Sequence, residues 1–168
     1  MSQQLTIDGF AFAREGGALQ GVLPVSELTR VHDQLAVISG EVRFSVQGKL
    51  MKTVIGVGEP QLRLQIRGIL QLACQRCLGP IAFDLDVDSL FLLVSEDAEL
   101  TQDEIENDSC DVLPVGRELD LAALIEDEIL LALPVAPRHG RCDMPGDDEA
   151  GERANPFAVL IGFKGRLN

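Results

Sequence analysis

The chain has 168 residues, 46 % of them hydrophobic and 24 % charged, with a formal net charge of −13. Such a chain can bury a core, and it is not globally disordered. No apolar stretch approaches the roughly 18 residues that span a bilayer. Met1-Ser2-Gln3-Gln4 lacks the basic region of a secretory signal, so the expectation is a soluble, cytoplasmic protein with no membrane contact.

The acidity is concentrated in one segment. Residues 1–94 hold nine acids and eight bases, and residues 129–168 hold five of each. Residues 95–128 hold thirteen acids against one base, Arg117. Phosphate contacts need Lys and Arg, so sequence-specific nucleic-acid reading is disfavoured.

Residues 1–35 read as one or two short strands, a turn at Gly16-Gly17, and a short helix. Ser26 is its predicted cap, and Leu28, Val31 and Leu35 form its apolar face. Over residues 36–94 the hydrophobic period is two. Val42, Phe44 and Val46, then Leu62, Leu64 and Ile66, then Phe83, Leu85 and Val87 alternate with polar residues, which predicts half-buried antiparallel strands. A fourth, less regular strand falls at Leu50–Val57, with turns expected at Gly48 and at Gly56-Val57-Gly58. The last hairpin turns at Cys74-Gln75-Arg76-Cys77-Leu78-Gly79-Pro80. The pleat then puts Arg63 and Arg67 on the same face as Asp84, Asp86 and Asp88.

Residues 95–118 read as a long acidic loop containing Cys110. Residues 119–134 predict a helix, capped by Asp120, running from Leu121 to Leu133 and stopped by Pro134. Leu121, Leu124, Ile125, Ile129 and Ala132 share its apolar face, and Glu126 and Asp127 point away. Glu128 projects into that face, where a carboxylate finds an Arg partner or lies at the edge of the stripe. Residues 135–168 read as an arm followed by a short terminal helix. Asn155-Pro156 starts that helix, Gly162 or Gly165 closes it, and Lys164 and Arg166 lie near its end. The whole is a single α+β domain: an antiparallel meander or partly open, barrel-like sheet packed by a C-terminal helix.

The sharpest chemical signal is Cys74-x-x-Cys77 at a hairpin tip, with Gly79 to relieve the turn. Two thiolates so placed supply half of a tetrahedral zinc site. His139-x-x-Cys142 can supply the other half, giving the ligand set Cys74, Cys77, His139 and Cys142 and pinning the arm to the sheet. The same pair also reads as a thiol redox couple helped by Arg76, or as reduced thiols in a turn. Cys110 lies among acids that disfavour its thiolate, and His32 reads as a surface or half-buried residue. No phosphate-binding loop, H-E-x-x-H or G-x-S-x-G occurs, so no catalytic residue is assigned and the expectation is a non-enzymatic protein.

Three segments together resemble a known family. They are Cys74-Gln75-Arg76-Cys77, the run Ile125-Glu126-Asp127-Glu128-Ile129-Leu130-Leu131-Ala132-Leu133-Pro134, and Asn155-Pro156-Phe157-Ala158-Val159-Leu160. Their order and spacing resemble the bacterial large ribosomal RNA subunit accumulation family, YceD. The resemblance covers about residues 10–168 and includes Gly21-Val22-Leu23-Pro24. It implies a non-enzymatic, cytoplasmic role in the synthesis, processing or stability of 23S ribosomal RNA, with the 23S precursor as a direct or indirect partner. It brings no catalytic residues.

The charge map suggests that segment 96–128 captures a basic large-subunit ribosomal protein. Direct phosphate contact through Arg63, Arg67, Arg76, Lys164 and Arg166 is less favoured, because aspartates lie close to the sheet arginines. The reading from another class is a thiol redox or zinc-dependent binding module built on the CxxC pair.

Overall fold

The computed structural model describes residues 5–52, 58–98 and 110–142. The elements in chain order are β1 (Thr6–Ile7), α1 (Gly9–Arg14), β2 (Ala18–Pro24), β3 (Leu35–Val37), β4 (Glu41–Lys52), β5 (Gly58–Ala73), β6 (Pro80–Ser95), β7 (Asp111–Val115), β8 (Leu119–Asp120) and α2 (Leu121–Ala132). Among the described residues, six strands form one open sheet in the order β2-β4-β5-β6-β7. Strand β3 joins the same edge as β4, paired with the far end of β5. Strands β1 and β8 form a separate small ladder. The fold is α+β, as the periodicities predict, and the sheet does not close into a barrel.

Alternation decides which face is buried. Phe44, Ile66 and Val87 are cross-strand neighbours on β4, β5 and β6, and all three are buried. Val42, Val46, Leu62, Leu64 and Leu85 share that face. Each fully buried Leu or Ile contributes about 1.5–3 kcal/mol in transfer terms. Helix α1, two 3₁₀ turns (Val25–Glu27 and Thr29–Gln34) and α2 cover this face. On the opposite face the charged ladder forms as expected. Arg63 grips Asp88 with two bonds of 2.7 and 2.6 Å, and Arg67 Nε donates to Asp86 at 3.0 Å.

Several expectations are corrected. Leu50–Lys52 continue β4 rather than starting a fourth strand, and residues 53–57 lie outside the described residues. Gly48 is not a turn. It pairs with Leu62 inside β4, where the backbone of α1 crosses so closely that a Cβ would lie 2.5 Å from the Phe12 carbonyl oxygen. Ser26 caps nothing, because that segment forms the two 3₁₀ turns, in which Leu28 and Val31 are buried while Leu35 opens β3. Part of the expected acidic loop is ordered: Asp111–Val115 form β7, parallel to β6. The β7 backbone pairs with β6, and Val115 at its end is buried.

Helix α2 follows the prediction. Asp120 caps it, accepting the amides of Ala122 and Ala123 at 3.0 and 3.1 Å. Leu133 is extended, as a residue before proline must be, and ends it. Leu121, Leu124, Ile125 and Ile129 are buried, but Ala132 is exposed. Glu126 does not point away. It is buried and accepts the Arg30 amide at 3.0 Å, while Asp127 pairs with the Arg30 guanidinium at 2.6 Å. Glu128 meets the Ser89 hydroxyl of β6, not an arginine. The expected terminal helix at Asn155, with Lys164 and Arg166, lies outside the described residues.

Candidate metal centre

The β5–β6 hairpin ends at the Ala73–Pro80 pair, leaving six residues to turn the chain. The Cys74 amide donates to the Gly79 carbonyl and the Leu78 amide to the Cys74 carbonyl, both at 2.9 Å. The strained position is Leu78, with φ 61°, rather than Gly79. This tight turn curls the following amides back towards the first thiol, and the Arg76 amide donates to Cys74 Sγ at 3.4 Å.

The arm supplies the other half. After α2 stops at Pro134 the chain returns to the hairpin tip, where the Gln75 amide donates to the Pro137 carbonyl at 2.9 Å. That contact registers the arm against the turn and delivers His139 and Cys142. The ligand atoms of Cys74, Cys77, His139 and Cys142 all lie within 4.8 Å of one another. Cys74 Sγ is 3.8 Å from Cys142 Sγ, and Cys77 Sγ is 3.3 Å from His139 Nδ1. Zinc bonds of ~2.3 Å to sulfur and ~2.05 Å to nitrogen, at the tetrahedral angle, separate two sulfurs by ~3.8 Å and a sulfur and nitrogen by ~3.6 Å. The sulfur–sulfur separation equals that value and the sulfur–nitrogen one is shorter, so the four side chains stand close enough to converge on one ion.

His139 is oriented for this role. Its Nε2 lies 3.0 Å from the Pro80 carbonyl. A carbonyl only accepts, so Nε2 carries a proton and Nδ1 is the nitrogen that faces the Cys77 thiol. A ligating histidine fixed through its other nitrogen is the usual outer-shell arrangement.

The electrostatics agree. The Cys74 thiol is lowered to about 5, chiefly by the Cys77 amide, and against the cost of burial. The Gly79 amide favours the Cys77 thiolate, but burial and the neighbouring thiols push that group up. His139 is raised by hydrogen bonding with Cys142 and then Cys74. One thiolate is thus formed readily, and crowding of like charge resists the next, a conflict that a divalent cation resolves.

The structure brings together all four residues singled out from spacing. Cys110 is outside the cluster, and its thiol is raised by burial and then by Glu59 and Asp111. His32 donates from Nε2 to the Val25 carbonyl at 3.0 Å and serves the fold. The spacing did not reveal Arg76 as a partner of Cys142, at 3.0 Å, or Pro80 as the anchor of His139. A cation inside the CxxC was the available signal for the first. A carbonyl contact leaves none.

Among the described residues no helix is long and apolar enough to cross a membrane. No solved structure matches the chain. A relative from Haemophilus influenzae, named "Large ribosomal RNA subunit accumulation protein YceD", is 26 % identical over 182 residues, covering 95 % of each chain. The family model described as "Large ribosomal RNA subunit accumulation protein YceD" matches residues 62–164. That match runs from the centre of the sheet through the arm, over more than half of the chain, and on it the protein belongs to the YceD family.

Proposed function

We propose that the chain is a non-catalytic, cytoplasmic factor in large-subunit assembly that promotes the synthesis, processing or stability of 23S ribosomal RNA. Family membership carries this reading, because the relative named for large ribosomal RNA accumulation aligns along nearly its whole length. Four of the described arginines are engaged within the chain, which weighs against phosphate contact through them. Arg63 and Arg67 are neutralised by Asp88 and Asp86, Arg30 by Asp127, and Arg76 turns into the cysteine cluster. The partner that fits exposed acids such as Glu96, Asp97, Asp111 and Glu118 is a basic ribosomal protein, captured and delivered through charge complementarity.

Cys74, Cys77, His139 and Cys142 hold one structural zinc ion, which clips the arm to the hairpin. Four protein ligands and no open position describe a structural site rather than a catalytic one. Thiol exchange is the poorer reading. The thiol with the lowered pKa, Cys74, is fully buried, and exchange needs access to the attacking sulfur.

The test is complementation of a Haemophilus influenzae strain lacking its own relative. The expected result is recovery of the large-to-small ribosomal RNA ratio by this chain. Soluble expression without recovery would remove the assignment. Native mass spectrometry on protein purified without chelator tests the zinc, with one ion expected per chain and none after Cys142→Ser. RNA binding that survives about 200 mM salt would replace the protein partner with direct contact.

A further inference from the structure

Arg76 makes hydrogen bonds to both halves of the centre. Its amide donates to Cys74 Sγ at 3.4 Å, from within the hairpin. Its guanidinium reaches across to the arm, where Nε donates to Cys142 Sγ at 3.0 Å and Nη2 to the His139 carbonyl at 3.3 Å. The β5 arginines, Arg63 and Arg67, are engaged instead by carboxylates of β6 on the outer face.

Two physical problems meet at this point. The first is geometric. Ligands separated by some sixty residues of chain must arrive together, and the described arm residues, 135–142, form neither helix nor strand. The second is charge. Three thiolates around a dication leave a net −1 in a partly buried pocket, and a nearby cation removes that penalty.

We propose that Arg76 is the positioning residue of this centre: its guanidinium docks the Cys142 thiolate and the His139 backbone, fixing the arm's two ligands and neutralising the loaded site. This rests on the zinc reading above. Arginine suits the task because two acceptors in different directions need a rigid fork with several donors. A lysine ammonium supplies charge without that geometry. Outer-shell partners of this kind matter to binding, and their loss weakens a metal site by about 10–100-fold.

The experiment compares the full chain with Arg76→Gln and Arg76→Lys. Zinc stoichiometry comes from native mass spectrometry, zinc affinity from competition with a chromophoric chelator, and the exposure of each cysteine from alkylation mapped by mass spectrometry. Cobalt substitution reports the number of bound thiolates through its sulfur-to-metal charge-transfer band.

With Arg76→Gln the expected result is zinc affinity lower by about 10–100-fold. Alkylation of the loaded protein should accelerate selectively at Cys142, with Cys74 still protected, and the cobalt band should weaken. Arg76→Lys should fall between the two. A merely structural arginine would destabilise the fold without singling out Cys142. If the wild type holds one zinc and both variants match it in affinity and in Cys142 protection, the inference is overturned while the zinc reading stands. If the wild type holds no zinc, both fall. Should Arg76→Gln fail to fold, the lysine variant decides alone: intermediate affinity with a more reactive Cys142 supports the role, and wild-type behaviour refutes it.

Discussion

The Glu128–Ser89 contact offers a test of how α2 is held to the sheet. Glu128 is 9 % exposed and projects from the apolar face of the helix to the Ser89 hydroxyl on β6. Ser89→Ala leaves a buried carboxylate without that donor, and the expected cost is about 1–3 kcal/mol. A chain of this size shifts by roughly 2–4 °C per kcal/mol, so Tm should fall by about 2–12 °C. Glu128→Leu removes the acceptor but adds apolar surface where Leu124, Ile125 and Ile129 already pack, so its cost should be smaller. Combining the two removes both polar groups, and the double variant should return close to wild type. The coupling should therefore be on the order of 0.5–3 kcal/mol. Urea and thermal unfolding with EDTA present would measure it free of metal linkage. A strictly additive double variant, or a Ser89→Ala variant indistinguishable from wild type, would refute the reasoning.

Three further outcomes are expected. Asp120→Ala removes the acceptor for two amides at the start of α2 and should cost about 0.5–2 kcal/mol in denaturant titrations, whereas Asp120→Asn should recover most of it. The Arg63 guanidinium, with help from Gln65, holds the Asp88 carboxyl down at about 2 from an ordinary 3.8. A depressed folded-state pKa adds stability that is complete above about pH 4 and lost as pH falls towards about 2. Acid-unfolding curves of wild type and Asp88→Asn should therefore differ above that window and converge below it; a constant separation down to pH 2 would contradict the pairing. Leu78 is 68 % exposed and sits at positive φ, so Leu78→Asn should raise stability by about 0.5–1 kcal/mol without disturbing the thiols, and a loss of stability on calorimetry would count against the strain.

What the sequence made legible follows from where the physics is local. The strands from Val42 to Val87 were readable because one face is buried and the pleat has a period of two. Helix α2 was readable because Asp120 and Pro134 act on their immediate neighbours. The four ligands were readable as two short spacings, although 61 intervening residues gave no hint that they meet. The missed features depend on partners distant in the chain. Helix α1 is six residues long, too short for a periodic signal, and is stabilised by lying against Gly48. Strand β7 carries Asp111 and Pro114, and only the edge of β6 makes it a strand. Glu126 read as a surface acid and Glu128 as one set in the apolar face, yet both are buried, and their partners are an amide of the second 3₁₀ turn and a hydroxyl on β6.

The length of the β5–β6 hairpin has a consequence for how the two ends of the molecule communicate. Strand β6 runs sixteen residues from Pro80, beside the cysteines, to Ser95, where the acidic segment departs. At ~3.3 Å per residue that path is roughly 50 Å. A Debye length of about 8 Å at physiological salt makes the ends electrostatically blind to one another. Substitutions among the thiols and among the exposed acids beyond Ser95 should therefore combine additively in any binding assay. The cysteine cluster at one tip and the exposed acids at the other can each be altered without retuning the counterpart.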